Sequence, residues 1–198
     1  MAKSRFKLIG VVGKELKMRY AHKEKAYSEP FASLLETSPA FLLWILRQTR
    51  FASEAPGARL LFEEMAATRS KASRTWWGSH FTMSCKCDGC RGGRETDVLA
   101  IVELSSGDRI ALHFEVKHPK DRLSQGQAAR YKLRANCWAA NAPPTMIAHT
   151  EATTILLWTE PTTKHATSEV SDFDNVITWD ALTAEFPDAG IPDCSEPG

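Results

Sequence analysis

The sequence predicts an α/β fold, a sheet with helices packed over it, on three observations. An apolar strand pair flanks a Ser105-Ser106-Gly107-Asp108 turn, helical stretches precede and follow that pair, and a β-branched apolar run closes the pattern at 153–158. In order along the chain, residues 7–12 read as a short strand. Glu29-Pro30 opens a helix through Leu34 and Leu35. Ser38-Pro39 supplies the cap and first turn of the next, running through Phe41, Trp44, Ile45 and Arg47. Over 58–72, Leu61, Met65, Thr68 and Ala72 recur at helical spacing and give one apolar stripe, the first core helix. Residues 76–83 read as a strand, 85–94 as a Gly-rich turn, 96–104 as a strand and 109–116 as its hairpin partner, a three-strand meander. A helix over 124–140 stops before Asn141 and the Pro143-Pro144 breaker, and the strand at 153–158 follows. A strand at 176–179 and a short helix at 180–186 complete the sandwich.

At 198 residues and 22.0 kDa the chain suits one domain with an adequate core. Apolar residues at 43% and charged residues at 25% exclude the disordered and fibrous classes. The longest apolar stretch, 40–46, falls far short of the ~20 residues of a membrane span. The N-terminal run at 8–12 is too short and too lysine-flanked for a signal peptide. The expectation is a soluble, cytoplasmic protein with no membrane partner. Net charge is +1, but residues 1–25 hold eight Lys/Arg against two acids and residues 160–198 hold nine acids against one lysine. A basic arm tracking a polyanion under an acidic gate is one reading of this; two solvated ends is the plainer one.

The chemistry concentrates on the second and third strands. A turn at 105–108 pairs them antiparallel, so Asp97, near the start of one, comes beside Glu115-Val116-Lys117 at the end of the other. Glu115 and Lys117 are two apart and share a face. Two adjacent carboxylates repel, and a hard divalent cation such as Mg²⁺ relieves them. A neighbouring lysine can orient an attacking water or lower its pKa. The plain alternative is a surface Asp97 and an exposed Glu115–Lys117 pair.

At these residues the chain resembles the PD-(D/E)XK nuclease superfamily, over roughly 58–159. Its restriction-endonuclease-like core runs helix, three-strand meander, helix, strand. The resemblance makes Asp97 the motif's Asp, Glu115-Val116-Lys117 its (D/E)XK element and the Val116 carbonyl a further metal ligand. Thr96 stands where the name has proline. Gln127-Ala128-Ala129-Arg130-Tyr131 looks like the Gln-x-x-x-Tyr motif of the RecB-like and lambda-exonuclease-like branch. Four apart on a helix, Gln127 and Tyr131 face the same way, toward phosphate or nucleotide. The family implies another acid from the first core helix. Glu64, about 70° from the middle of the apolar stripe, is preferred over the more exposed Glu63, with Glu36 in reserve. The layout expected is a nuclease-like core at 58–159, an N-terminal basic helical extension at 1–57 and an acidic segment at 160–198.

Lys117, Lys120, Arg122, Arg130, Lys132 and Arg134 stand against the single acid Asp121, a patch fit for phosphates or an ordinary polar face. Of Trp76-Trp77, one is expected in the core and one at the rim. Cys85, Cys87 and Cys90, with a fourth ligand from His80, Cys137 or Cys194, can close a structural Zn²⁺ site; reduced thiols without metal are the alternative. The cysteine spacing departs from that of the iron-sulfur nucleases of the superfamily.

Three functions compete. The first is a Mg²⁺- or Mn²⁺-dependent deoxyribonuclease, acting in DNA processing, repair, phage recombination or defence. The second is a catalytically inactive nuclease-fold module that binds nucleic acid. The third is a zinc-stabilised interaction subunit whose acidic tail recruits a partner. A chain without its own helicase or recognition domain is expected to work as a homo-oligomer or with a protein supplying that function.

Overall fold

Val98, Leu99, Ala100, Ile101 and Val102 are all buried, so the strand they form is covered on both faces and lies inside a helix-flanked sheet. A computed structural model describes residues 24–69, 75–81, 85, 90, 95–118, 121–159 and 167–192. In chain order the elements are helix α1 (24–37), helix α2 (Pro39–Arg47), a 3₁₀ turn (Ala52–Glu54), strand β1 (Arg59–Leu60) and helix α3 (Phe62–Thr68). Strands β2 (His80–Phe81), β3 (Glu95–Thr96), β4 (Val98–Glu103) and β5 (Arg109–Val116) come next, followed by helix α4 (Gln127–Ala140) and strand β6 (Glu151–Trp158). Helix α5 (Thr167–Ser171), strand β7 (Asn175–Thr178) and helix α6 (Trp179–Glu185) complete the chain of elements.

The main sheet is mixed, in the order β1-β4-β5-β6-β7. β4 and β5 form the expected antiparallel hairpin, with Val98 opposite Phe114 and Glu103 opposite Arg109. Its turn closes through Leu104 N to Asp108 O at 2.9 Å, with Gly107 at φ 89°, where a side chain would be strained. β6 pairs parallel to β5 after the α4 crossover, and β7 pairs parallel to β6 after α5. Side chains on β5 alternate: Phe114 meets Phe31 of α1 at 4.9 Å, while His113 meets Trp138 of α4 at 5.4 Å. His113, Glu115 and Lys117 therefore share the face that α4 covers, and the aromatic layer of Tyr27, Phe31, Phe41, Trp179 and Phe186 fills the other.

Several expectations need correction. Of the helix expected over 58–72, the described residues form α3, because Arg59 and Leu60 pair with Glu103 and Val102 as a strand and Leu61 N donates to Ile101 O at 2.9 Å; 70–72 lie outside the described residues. At its far end Arg69 is already extended. Of the strand expected at 76–83, residues 76–79 are not strand and 82–83 lie outside the described residues; β2 joins β3 in a separate two-stranded ribbon, so the third antiparallel strand of the main sheet is β1. The expected meander is thus replaced by a hairpin with a short strand from upstream. α1 is already helical at Glu24, and Pro30 lies inside it. The interior proline is offset by burial of Tyr27, Phe31 and Leu35 on one face. Helix α2 starts as expected, Ser38 Oγ accepting from Phe41 N at 3.2 Å. The strand expected at 7–12 lies outside the described residues. Among those described, no helix is long and apolar enough to cross a membrane.

Candidate functional site

Asp97 sits at the bend between β3 and β4, beside the last residues of β5, as the hairpin register requires. Its Oδ2 accepts from Val116 N at 2.8 Å, and its own N–H donates to the Tyr131 hydroxyl at 3.3 Å. Glu115 Oε1 accepts from Gln127 Nε2 at 2.6 Å and pairs with Lys117 Nζ at 2.5 Å. The Glu115 and Lys117 side chains are 3% and 10% exposed, so this is a buried pair and not the solvated one that served as the alternative. Trp179 Nε1 donates to Lys117 O at 2.8 Å and fixes the lysine backbone from α6.

These groups line one cleft of about 550 Å³, together with Glu24, Glu95, Arg130 and Arg134. Four carboxylates thus face three cations. Burial, then the Glu115 carboxylate, pushes the Asp97 carboxyl well above the usual range. Burial also raises Glu24 and Glu95, and Lys117 opposes the rise at Glu24. Burial alone would lower Lys117, but the carboxylates of Glu115, Asp97 and Glu24 outweigh it and hold the ammonium above its ordinary value. Burial and the Asp97 charge hold the Tyr131 phenol well above its ordinary value, so it stays protonated. Hard oxygen donors beside a cationic lysine suit a divalent cation of the Mg²⁺ class and a phosphate.

Glu64 is not part of this cleft. It is exposed and salt-bridged to Arg59 at 2.9 Å, because α3 starts directly after β1 and Glu64 lies in its first turn, beside the β1 arginine. Glu63 is exposed too, and Glu36 accepts from Trp76 Nε1 at 2.8 Å. The helix-borne acid at the cleft is Glu24 of α1, whose Oε1 is 3.9 Å from Lys117 Nζ. It was missed although a signal existed: Glu24 precedes Tyr27, Phe31 and Leu35 by three, seven and eleven residues, the period of their buried face. Glu95 was missed as well; it accepts from Ser79 N at 3.0 Å in the ribbon.

Of the basic residues, Arg130 and Arg134 reach the cleft. Arg134 is buried, donates from Nε to Thr96 Oγ1 at 2.8 Å and lies 4.2 Å over the Tyr131 ring. Arg122 is exposed, Lys132 pairs with Asp174 at 3.2 Å, and Lys120 lies outside the described residues. Trp76 is buried and Trp77 half-buried.

A second cluster gathers Cys85, Cys90 and Cys137, whose sulfurs all lie within 4.8 Å of one another, within reach of a single metal ion. Cys137 of α4, one of the three residues expected to offer a fourth ligand, thus joins Cys85 and Cys90; Cys87 and Cys194 lie outside the described residues. His80 is not in the cluster, its ring being engaged by the Trp76 carbonyl and by Arg69. Comparison of the chain with protein-family models, with curated proteins and with solved structures finds no match.

Proposed function

We propose that this chain is a metal-dependent DNA nuclease of the PD-(D/E)XK type with a restriction-endonuclease-like core. The observation that supports this best is that Asp97, Glu115 and Lys117 share one cleft with Gln127 and Tyr131 of the following helix. Asp97, Glu115 and the Val116 carbonyl would hold Mg²⁺ or Mn²⁺, with Glu24 in place of Glu64 as the helix acid. When bound, the cation would supply charge that neutralises the carboxylates, polarises a phosphoryl oxygen and acidifies a water.

The chain's own residues do the rest. Gln127 and Lys117 both bond Glu115 Oε1 and so fix the direction of that carboxylate. The Val116 N–H does the same for Asp97. Lys117, kept charged by its neighbours, orients the attacking water and offsets charge developing on phosphorus. Arg130 and Arg134 receive backbone phosphates, and the protonated Tyr131 hydroxyl helps set the Asp97 bend. A structural Zn²⁺ is the reading of the three thiols, which supply no ligand to the hydrolytic cation.

The test is incubation of the purified protein with linear, circular and single-stranded DNA, in Mg²⁺, Mn²⁺ or EDTA, beside Lys117→Ala. Cleavage that needs metal and disappears in the variant is expected. Wild type and variant equally inert on every substrate would overturn the enzymatic reading. Salt-sensitive DNA binding without cleavage would leave a nucleic-acid-binding module in its place.

A further inference from the structure

The β2–β3 ribbon has two residues in each strand, too few to hold itself together, yet β3 runs directly into Asp97. Two bridges join it to α4. One is the Arg134–Thr96 hydrogen bond. The other lies one helical turn on, where Cys137 Sγ stands 3.2 Å from Cys85 Sγ. Cys85 and Cys90 belong to the connection between β2 and β3, and Cys90 is 4% exposed. At 3.2 Å the Cys85 and Cys137 sulfurs are not bonded to each other.

The spacing discriminates among chemistries. A disulfide holds its sulfurs at about 2.05 Å. Tetrahedral zinc with Zn–S bonds of about 2.3 Å sets thiolate sulfurs about 3.8 Å apart. With Cys85 and Cys137 at 3.2 Å and all three sulfurs within 4.8 Å of one another, the trio is compact enough for a single zinc ion. An iron-sulfur cluster spreads its thiolates over several irons and holds them farther apart.

We propose that Cys85, Cys90 and Cys137 bind one zinc ion as thiolates, and that this ion fastens the β2–β3 connection to α4. The ribbon leading into Asp97 and the helix bearing Gln127, Tyr131 and Arg134 are then held as one unit. The inference deepens the zinc reading of the thiols and does not depend on nuclease activity. Cys137 is the ligand that makes the ion a clamp: without it, metal bound by Cys85 and Cys90 would close only a local loop. Soft thiolates select zinc over Mg²⁺, so the two metals do not compete for one site. Metal binding to a marginal ribbon is coupled to its folding.

The experiment is metal analysis of the tag-free chain purified under reducing conditions, beside Cys137→Ser, with no DNA present. About one zinc per wild-type chain and its loss from the variant are expected. Cobalt exchanged into the wild type should show thiolate-to-cobalt charge transfer of at least three thiolates, a readout that survives misfolding of the variant. Stripping zinc with a strong chelator should raise amide exchange across α4 and the ribbon together. Zinc retained in full by Cys137→Ser, a wild type that neither holds nor takes up zinc, a protein carrying iron and sulfide, or a Cys85–Cys137 disulfide would each overturn the proposal. Because metal content is read without substrate, inert DNA assays leave it standing, and a metal-free trio leaves the cleft intact as a candidate.

Discussion

The β4–β5 pair carries carboxylates at both of its ends, and the two ends treat them differently. At the turn end Glu103 meets Arg59 at 3.0 Å and Arg109 at 3.5 Å, and Arg59 also holds Glu64. Arg59, Glu64 and Arg109 are open to water and Glu103 partly so, acids and cations are matched, and the network needs nothing else. At the opposite end Asp97 and Glu115 lie under α4, with Glu24 and Glu95 close by, and these four carboxyl groups outnumber Lys117 and two arginines. The same residue types make a solvated surface at one end and an unbalanced, partly dehydrated cleft at the other. Burial and imbalance, more than the presence of acids, mark where a ligand belongs.

The sharpest way to break that contrast is to remove one cation from each end. Lys117→Ala is expected to lower metal-dependent cleavage about 10³-fold, whereas Arg59→Ala leaves both cleavage and Tm unchanged. Equal losses would dissolve the distinction.

Proton uptake separates buried from exposed groups next. Burial lowers His80 from 6.5 to about 4, and His113 is held down by burial and then by Arg134. A depressed folded value means stability that is present above 6.5 and lost as pH falls toward 4, roughly 3 kcal/mol for His80 alone. Urea midpoints between pH 7 and 4.5 should fall accordingly, with a flatter profile for His80→Gln.

Asp97 has the opposite sign. Its raised folded value makes the ionised form a cost, so that contribution to stability is present below about 3.8 and lost as pH rises through the folded value. Mg²⁺ should therefore raise Tm at pH 8 and have no effect at pH 4, the increment reaching about 2.7 kcal/mol at a hundredfold excess over Kd. A Tm increment independent of pH would place the cation elsewhere.

The smallest contrast compares the two candidate helix acids. Glu24→Gln is expected to weaken Mg²⁺-dependent cleavage about 10- to 100-fold, while Glu64→Gln has no effect on rate.

The hairpin was legible in the sequence because everything that specifies it is local: the Gly107 turn, the apolar run on either side and the two-residue alternation. The Asp97, Glu115 and Lys117 grouping followed from that register. α4 was legible as well, because the Gln127 and Tyr131 spacing is a property of one helix. What misled was α3. Leu61 and Met65 are buried at helical spacing, but Leu60 obeys a pairing with Val102 that lies more than forty residues away, and long-range pairing overrides local period. Glu24 was hidden for a related reason. Its periodicity with Tyr27 and Phe31 is local, but only the packing of α1 on the sheet brings it to a lysine on β5. Cys137 was among the candidate ligands, but only the packing of α4 singles it out, 52 residues from the thiol it meets.

Trp179 ties two early parts of the chain to a late one. It donates to the Lys117 carbonyl 62 residues upstream and also packs its ring on Tyr27 and Phe31, one turn or two beyond Glu24 on α1. Both the lysine and the helix acid are thus pinned by a side chain translated long after them. Because Trp179 is translated after both, the contacts that hold Lys117 and α1 in place can be completed only once it has been made.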